Sequence, residues 1–153
     1  MEPDLRLDSQ VCFALYSAAR AAQSAYRPLL AELDLTYPQW LVLLALWEED
    51  GLTVGALGER LHLDSGTLSP LLRRMETRGV LTRQRAETDA RTVTLHLTPE
   101  GRDLRGRAGD VQRCLVPLVD LDADEAATLR DLAHRLVAST ERRTLTGRNG
   151  ESE

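Results

Sequence analysis

Apolar side chains recur at helical spacing over most of this 153-residue chain and alternate with polar ones in one short region. From about Asp8 to Leu33 the pattern reads as one helix, with Asp8 or Ser9 as its cap and Pro28 expected to bend it or end it early. Thr36-Tyr37-Pro38-Gln39 has the form of a capping box with proline in the first turn. It opens PQWLVLLALWEED, which stops at Gly51 and is apolar nearly all round, so it predicts a buried central helix. Thr53 caps a short third helix, VGALGERL, with Val54, Leu57 and Leu61 in register. After His62-Leu63, Asp64 caps a fourth, SGTLSPLLRRMETR, ended by Gly79, whose core stripe is Leu68, Leu71, Leu72 and Met75. Pro70 lies within that stripe and conflicts with an unbroken helix.

Val80–Arg85 and Arg91–Leu97 alternate as strands do, and the charged segment between them predicts a hairpin. Thr98-Pro99-Glu100 starts a fifth helix that runs to about Val119 and contains Cys114. Asp122-x-x-Glu125 caps a sixth that ends near Arg143, and residues 144–153 form a loose polar tail. Helix, tight turn, helix and hairpin in that order over residues 53–97 make a winged helix-turn-helix. The expected fold class is therefore mainly α with a small β wing, six helices and one hairpin in a single domain of residues 1–153.

Composition adds direction. Apolar residues at 42% and charged residues at 28% describe a soluble globular protein. No apolar run suits a membrane span and the start, MEPDLRLDSQ, is no signal peptide, so the expected location is cytoplasmic, with reduced thiols and no membrane partner. All 19 basic residues are arginine, and the net charge is −5. Thr53–Arg91 nonetheless carries seven arginines against five acids, and Asp64–Arg85 five against two. A basic segment in an acidic protein points to a localised negative partner. The fourth helix supplies the chemistry for double-stranded DNA. Asp64, Ser65, Thr67 and Ser69 lie with Gly66 in or beside its first turn, where small residues allow close approach to bases and phosphates. Arg73, Arg74 and Arg78 follow with longer reach. At the hairpin tip Arg91 suits a minor groove, held by Asp89 two residues before it.

Two cysteines remain. Cys12 falls in the first turn of the first helix, where amides and the helix dipole favour a thiolate, although a free cysteine is most often a small packed hydrophobe. Tyr16, Ala19, Gln23 and Tyr26 continue its stripe. Tyr26 lies fourteen residues on, roughly 21 Å along a helix, and so cannot touch Cys12 of its own chain. Antiparallel pairing with a second copy would bring the two together. His62, His96 and His134 are scattered over three elements, so neither a metal nor any other cofactor is expected.

The segment LTVGALGERLHLDSGTLSPLLRRMETRGVLTRQRAETDARTVTLHLTPEGR resembles the DNA-binding core of MarR-type repressors. VCFALY, LTYPQWLVLLALWE and LDSGTLSPLLRRME are similar to the organic hydroperoxide resistance regulators of that family, the OhrR branch. The resemblance implies a homodimer joined through residues 8–35 and 98–143, one winged helix per subunit on operator DNA, and no enzyme. It also implies that Tyr26 and Tyr37 reach across the dimer to the reactive Cys12, with Tyr16 nearby. Its chemistry is oxidation of Cys12 by an organic hydroperoxide to sulfenic acid, for which Phe13, Leu15, Trp40 and Val42 supply apolar surroundings. The separation of Cys12 and Cys114 resembles the two-cysteine type, where Cys114 would then close an intersubunit disulfide and release DNA. A repressor released by a small aromatic ligand, with structural cysteines, and a thiol peroxidase remain as alternatives.

Overall fold

The computed structural model describes residues 4–85, 92–115 and 120–148, with side chains through Thr140. They fall into two compact units, the first ending at Leu118 and the second beginning at Val119. In the first, a single 3-10 turn, Leu7–Ser9, precedes α1 (Val11–Ala31), α2 (Tyr37–Glu48), α3 (Val54–Leu61), α4 (Ser65–Arg78), β1 (Leu81–Arg85), β2 (Val93–Leu97) and α5 (Pro99–Leu115). The second contains α6 (Ala123–Arg148).

The core forms where the apolar pattern places it. Trp40, Val42, Leu43, Ala45 and Leu46 of α2 are buried, as a helix apolar on every side requires. Leu68, Leu71, Leu72 and Met75 of α4 are buried too, together with Leu57 of α3 and Leu95 and Leu97 of β2. The strands pair antiparallel from Leu81 opposite Leu97 to Arg85 opposite Val93. The loop after α2 extends this sheet: the Gly51 amide donates to Leu95 O and the Leu95 amide to Leu52 O, both at 2.9 Å. The winged helix-turn-helix is thus present in the expected order.

Pro28 and Pro70 both lie inside continuous helices. Pro28 does not end α1, which runs three residues further because Leu29 and Leu30 pack into the core beyond it. Pro70 sits on the exposed face of α4 while Leu68, Leu71 and Leu72 hold the other face. Its missing amide leaves the Gly66 carbonyl without a helical donor, on an exposed turn that water reaches. α6 is capped as expected: Asp122 Oδ1 accepts the Asp124 and Glu125 amides, and Glu125 Oε2 accepts the Asp122 amide. It runs to Arg148, past the expected end near Arg143, so residues 144–148 of the expected tail are helical. Residues 149–153 lie outside the described residues.

Candidate functional site

The turn between α3 and α4 is built by close backbone approach. Thr53 Oγ1 accepts the Ala56 amide at 3.0 Å and starts α3. His62 ends α3 in the left-handed region, and the Leu63 amide returns to Gly58 O at 2.9 Å. A Cβ at Gly58 would stand 2.9 Å from the Leu63 carbonyl oxygen, so the turn closes this tightly only with glycine there. Asp64 then caps α4, its Oδ1 accepting the Thr67 amide at 2.9 Å and its Oδ2 the Thr67 hydroxyl at 3.0 Å. These bonds hold the Asp64 carboxyl below its ordinary range. Asp64 and Thr67, expected as DNA contacts, are therefore engaged with each other as the cap.

Ser65, Gly66, Ser69, Arg73 and Arg74 are exposed, on the side of α4 away from its buried stripe. The exposed hydroxyls and the two guanidiniums along α4 can meet phosphates and base edges. Arg78 requires a correction. Its guanidinium donates to Leu33 O at 2.6 Å and to Asp34 O, and lies 3.8 Å from the Asp34 carboxylate. With its side chain only 21% exposed, it ties α4 to the corner between α1 and α2 and does not extend outward. Asp89 and Arg91, the expected wing-tip pair, lie outside the described residues.

Other residues that position this surface carry no motif. Arg83 of β1 donates twice to Glu76 Oε2, at 2.8 and 2.5 Å, which locks the wing to α4 and lowers the Glu76 carboxyl. Asp50 accepts the Leu97 amide at 2.8 Å and the Arg102 guanidinium at 3.0 Å. Burial works to raise the Asp50 carboxyl, but those two donors outweigh it and the net shift is downward. Trp47 Nε1 donates to Gly101 O at 2.9 Å. Each pair joins residues distant in sequence or across a turn, with no spacing rule to announce it.

The thiol site differs from expectation in its details. Neither Asp8 nor Ser9 caps α1; both belong to the 3-10 turn, and the cap is Gln10. Gln10 makes no side-chain cap bond because its Nε2 donates backward to Asp4 O and Arg6 O. Cys12 is consequently the second residue of α1, exposed, in the turn whose amides have no intrahelical acceptor. Tyr16 one turn on is exposed, and its hydroxyl accepts from Arg20 at 2.9 Å. Phe13 and Leu15 are half-buried, whereas Trp40 and Val42 are fully buried core residues and do not surround the thiol in this chain.

At the far end of α1, Tyr26 packs against Tyr37 of α2 with ring centroids 5.0 Å apart and the planes tilted at 52°. Burial raises both phenols, and Tyr37 adds to the cost of ionising Tyr26, so both remain neutral donors at physiological pH. Cys114, on α5, is exposed and lines a cavity of about 80 Å³ with Leu29, Glu32, Leu33, Arg107, Asp110 and Val111. Leu29 is seventeen residues beyond Cys12, roughly 25 Å along the same helix. Within one chain the two sulfurs therefore lie toward opposite ends of α1.

Among the described residues no cluster of three or more His, Cys, Asp or Glu is placed to hold a metal, and no helix is long and apolar enough to cross a membrane. The model of the MarR family matches residues 35–93. The chain is 48% identical over 142 residues to the HTH-type transcriptional regulator TtmR of Methylorubrum extorquens (strain PA1), covering 88% of this chain and 73% of that one. It is 42% identical over 133 residues to the organic hydroperoxide resistance transcriptional regulator of Bacillus subtilis (strain 168), covering 87% and 90%. Among solved structures, reduced AbfR bound to DNA superposes with a TM-score of 0.78 at 30% identity, over 92% of this chain and 96% of that one. With its winged helix-turn-helix and these relatives, the chain belongs to the MarR family of transcriptional regulators.

Proposed function

We propose that this regulator is a peroxide-responsive repressor that binds operator DNA as a reduced homodimer and leaves it when Cys12 is oxidised. The observation that carries the reading is the placement of the thiol. Cys12 is exposed at the start of α1, while the neutral phenols Tyr26 and Tyr37, and Cys114, lie toward the other end of that helix. Two copies with α1 antiparallel bring the start of one against the end of the other, so that each thiol meets the partner's phenols and the site occurs twice by symmetry. Exposed apolar side chains support pairing through the terminal helices: Val11 and Tyr16 on α1, and Leu129, Leu132 and Leu136 on one stripe of α6. The similarity to the Bacillus subtilis regulator supports an organic hydroperoxide as oxidant.

The chemistry balances in two steps. The Cys12 thiolate attacks the outer oxygen of the hydroperoxide, the O–O bond breaks, and the alkoxide leaves and takes a proton to become an alcohol; sulfur is oxidised to sulfenic acid. The Cys114 thiolate of the other subunit then attacks that sulfur, forming S–S and releasing hydroxide, which leaves as water. The bridge joins elements that set the spacing of two recognition helices, which must stand about 34 Å apart for successive major grooves. Losing about 3 kcal/mol of binding lowers affinity roughly a hundredfold.

Operator binding by anisotropy, before and after one equivalent of cumene hydroperoxide, tests this directly. The wild type is expected to release DNA and migrate as a bridged dimer on a non-reducing gel, and Cys12→Ser to do neither. Release of DNA by oxidised Cys12→Ser, or release only on titrating a small aromatic ligand, would overturn it; sustained peroxide turnover without DNA affinity would mark an enzyme instead.

A further inference from the structure

The end of α1 is held in an unusual way. The carbonyls of Leu30 and Ala31 are satisfied by the following turn, through the Leu33, Leu35 and Asp34 amides. The next three carbonyls, of Glu32, Leu33 and Asp34, have no helix to continue into. All three accept from arginines of other helices. Arg107 of α5 donates to Glu32 O at 3.4 Å, and Arg78 of α4 donates to Leu33 O at 2.6 Å and to Asp34 O. Two cations at a helix C-terminus are also what its dipole favours. Leu33 and Leu35 are buried on either side of Asp34, whose left-handed backbone (φ +51°) turns the chain between them. The corner cannot swing without opening the core or breaking these bonds.

This clamp joins three helices with three different tasks. α1 carries Cys12 and Tyr26, α5 carries Cys114, and α4 carries the exposed DNA-facing turn. Arg107 and Cys114 line the same cavity against Leu29 and Leu33. Arg78 leaves α4 from its last turn, at the opposite end from Ser65 and Ser69, so it fixes the axis of the helix without contributing to its tip. A guanidinium suits this post because it is planar, permanently charged and able to serve two carbonyls at once, which an ammonium on a flexible stem does less well.

Resting on the peroxide-responsive reading above, we infer that Arg78 is a positioning residue: with Arg107 it couples movement of α1 and α5 at the oxidised thiols to the orientation of the recognition helix. Oxidation pulls on the end of α1 beside Cys114, and the Arg78 bonds carry that displacement into α4. The segment 32–35 is thereby part of the switch, although it contains no sulfur and faces no base.

Full-length wild type, Arg78→Lys, Arg78→Gln and Arg107→Lys are compared for operator affinity, reduced and after one equivalent of cumene hydroperoxide, with gels confirming equal bridging. The wild-type ratio of oxidised to reduced Kd is expected to be about tenfold or more. Arg78→Lys should shrink that ratio by at least about threefold while bridging normally, with Arg107→Lys smaller in effect. Arg78→Gln should keep the salt dependence of reduced binding, whereas removing a cation that touches a phosphate lowers the slope of log K against log salt by about 1. Variants that release DNA by the full wild-type factor, or whose slope falls by that amount, overturn the inference and leave the peroxide reading standing. A wild type that bridges yet keeps its operator overturns the parent reading. If the Arg78 variants do not fold, hydrogen exchange on the wild type decides: protection of residues 33–35 and of the last turn of α4 must change together on oxidation, and an unchanged corner sinks the idea.

Discussion

Gly101, in the first turn of α5, is where the helix bearing Cys114 meets the base of the wing. The Thr98 hydroxyl donates to Gly79 O at 2.6 Å and accepts the Gly101 amide at 3.1 Å, while Trp47 Nε1 donates to the Gly101 carbonyl. A Cβ on Gly101 would lie 2.1 Å from the Val80 carbonyl oxygen and 3.1 Å from Leu97 Cδ2. Real Cβ contacts do not fall below 3.0 Å, so Gly101→Ala must push α5 away from the start of β1 by most of an ångström. The obstacle is backbone and cannot rotate aside. Such overpacking costs about 3 kcal/mol, and the better helix propensity of alanine recovers only about 0.5–1 kcal/mol. The net loss of about 2 kcal/mol lowers the melting midpoint by roughly 4–8 °C for a chain of this size. Gly106, five residues on in the same helix, has nothing within 4 Å of its Cβ position. Gly106→Ala is expected to raise the midpoint by roughly 1–4 °C from propensity alone. Circular dichroism melts at one fixed protomer concentration compare the two, since association shifts the midpoint. A Gly101→Ala protein that melts at or above the wild-type temperature would refute the close approach, and with it the rigid seat of α5 on the wing.

Asp50 makes stability depend on acid. Its carboxyl is lowered in the folded state, so its contribution is complete above the unfolded value of about 3.9 and is lost as pH falls through the lower folded value. Asp50→Asn should therefore destabilise the protein at pH 7 in urea titrations, with the difference from wild type shrinking as pH falls below the unfolded value of about 3.9; a difference that stays constant on acidification would count against the assignment. Arg73→Ala and Arg74→Ala should each weaken operator binding and, where the guanidinium meets a phosphate, lower the salt slope by about 1, measured by anisotropy from low to moderate salt. Unchanged affinity in both variants would remove this face of α4 from the DNA interface. Cys114→Ser should accumulate sulfenic acid on peroxide treatment, trapped by a dimedone-type probe and read by intact mass, without a dimer-sized band on a non-reducing gel. A bridged dimer in that variant would assign the disulfide to two copies of Cys12.

Much of the fold follows from local rules. The stripe of α4, its cap at Asp64 and its stop at Gly79 all rest on spacing of three or four residues and on single-residue propensities, and all are present. The box at Thr36–Gln39 is local as well, with the Thr36 amide donating to Gln39 Oε1 at 2.8 Å. What local rules misjudged was strength. A proline in α1 or α4 costs about 3 kcal/mol of helix, yet buried leucines beside it retain the helix because packing summed over several side chains is larger. At the start of α1 the same rules proposed Asp8 or Ser9 as cap, and a backward-facing Gln10 occupies the place instead.

The candidate site was less accessible because its decisive partners are remote. Arginine counts along residues 64–85 treat Arg73, Arg74, Arg78 and Arg83 alike. Folding separates them: the first two remain exposed, Arg83 pairs with Glu76, and Arg78 joins carbonyls more than forty residues earlier in the chain. Only a three-dimensional arrangement can set one arginine of a basic segment against distant carbonyls and another against a carboxylate. The same holds for the sulfurs, though here helical geometry already sets the limit. Helical rise alone separates Cys12 from Tyr26, and the placement of Cys114 beside Leu29 and Leu33 extends that separation to the second thiol. A chain built this way holds an exposed thiol at one end of its longest described helix in the first unit, and its candidate reaction partners at the other. Reversal of that helix in a second copy supplies both ends at once, and twice, so the number of working sites equals the number of subunits. A mixed dimer of one Cys12→Ser subunit and one Cys114→Ser subunit therefore keeps a single complete site. The Cys12 of the second subunit faces the Cys114 of the first, and the other side has neither sulfur. Half the bridging capacity in such a heterodimer, against none in either homodimer, is the outcome that a site shared between chains requires. A heterodimer with no bridge at all would place both reacting sulfurs in one chain.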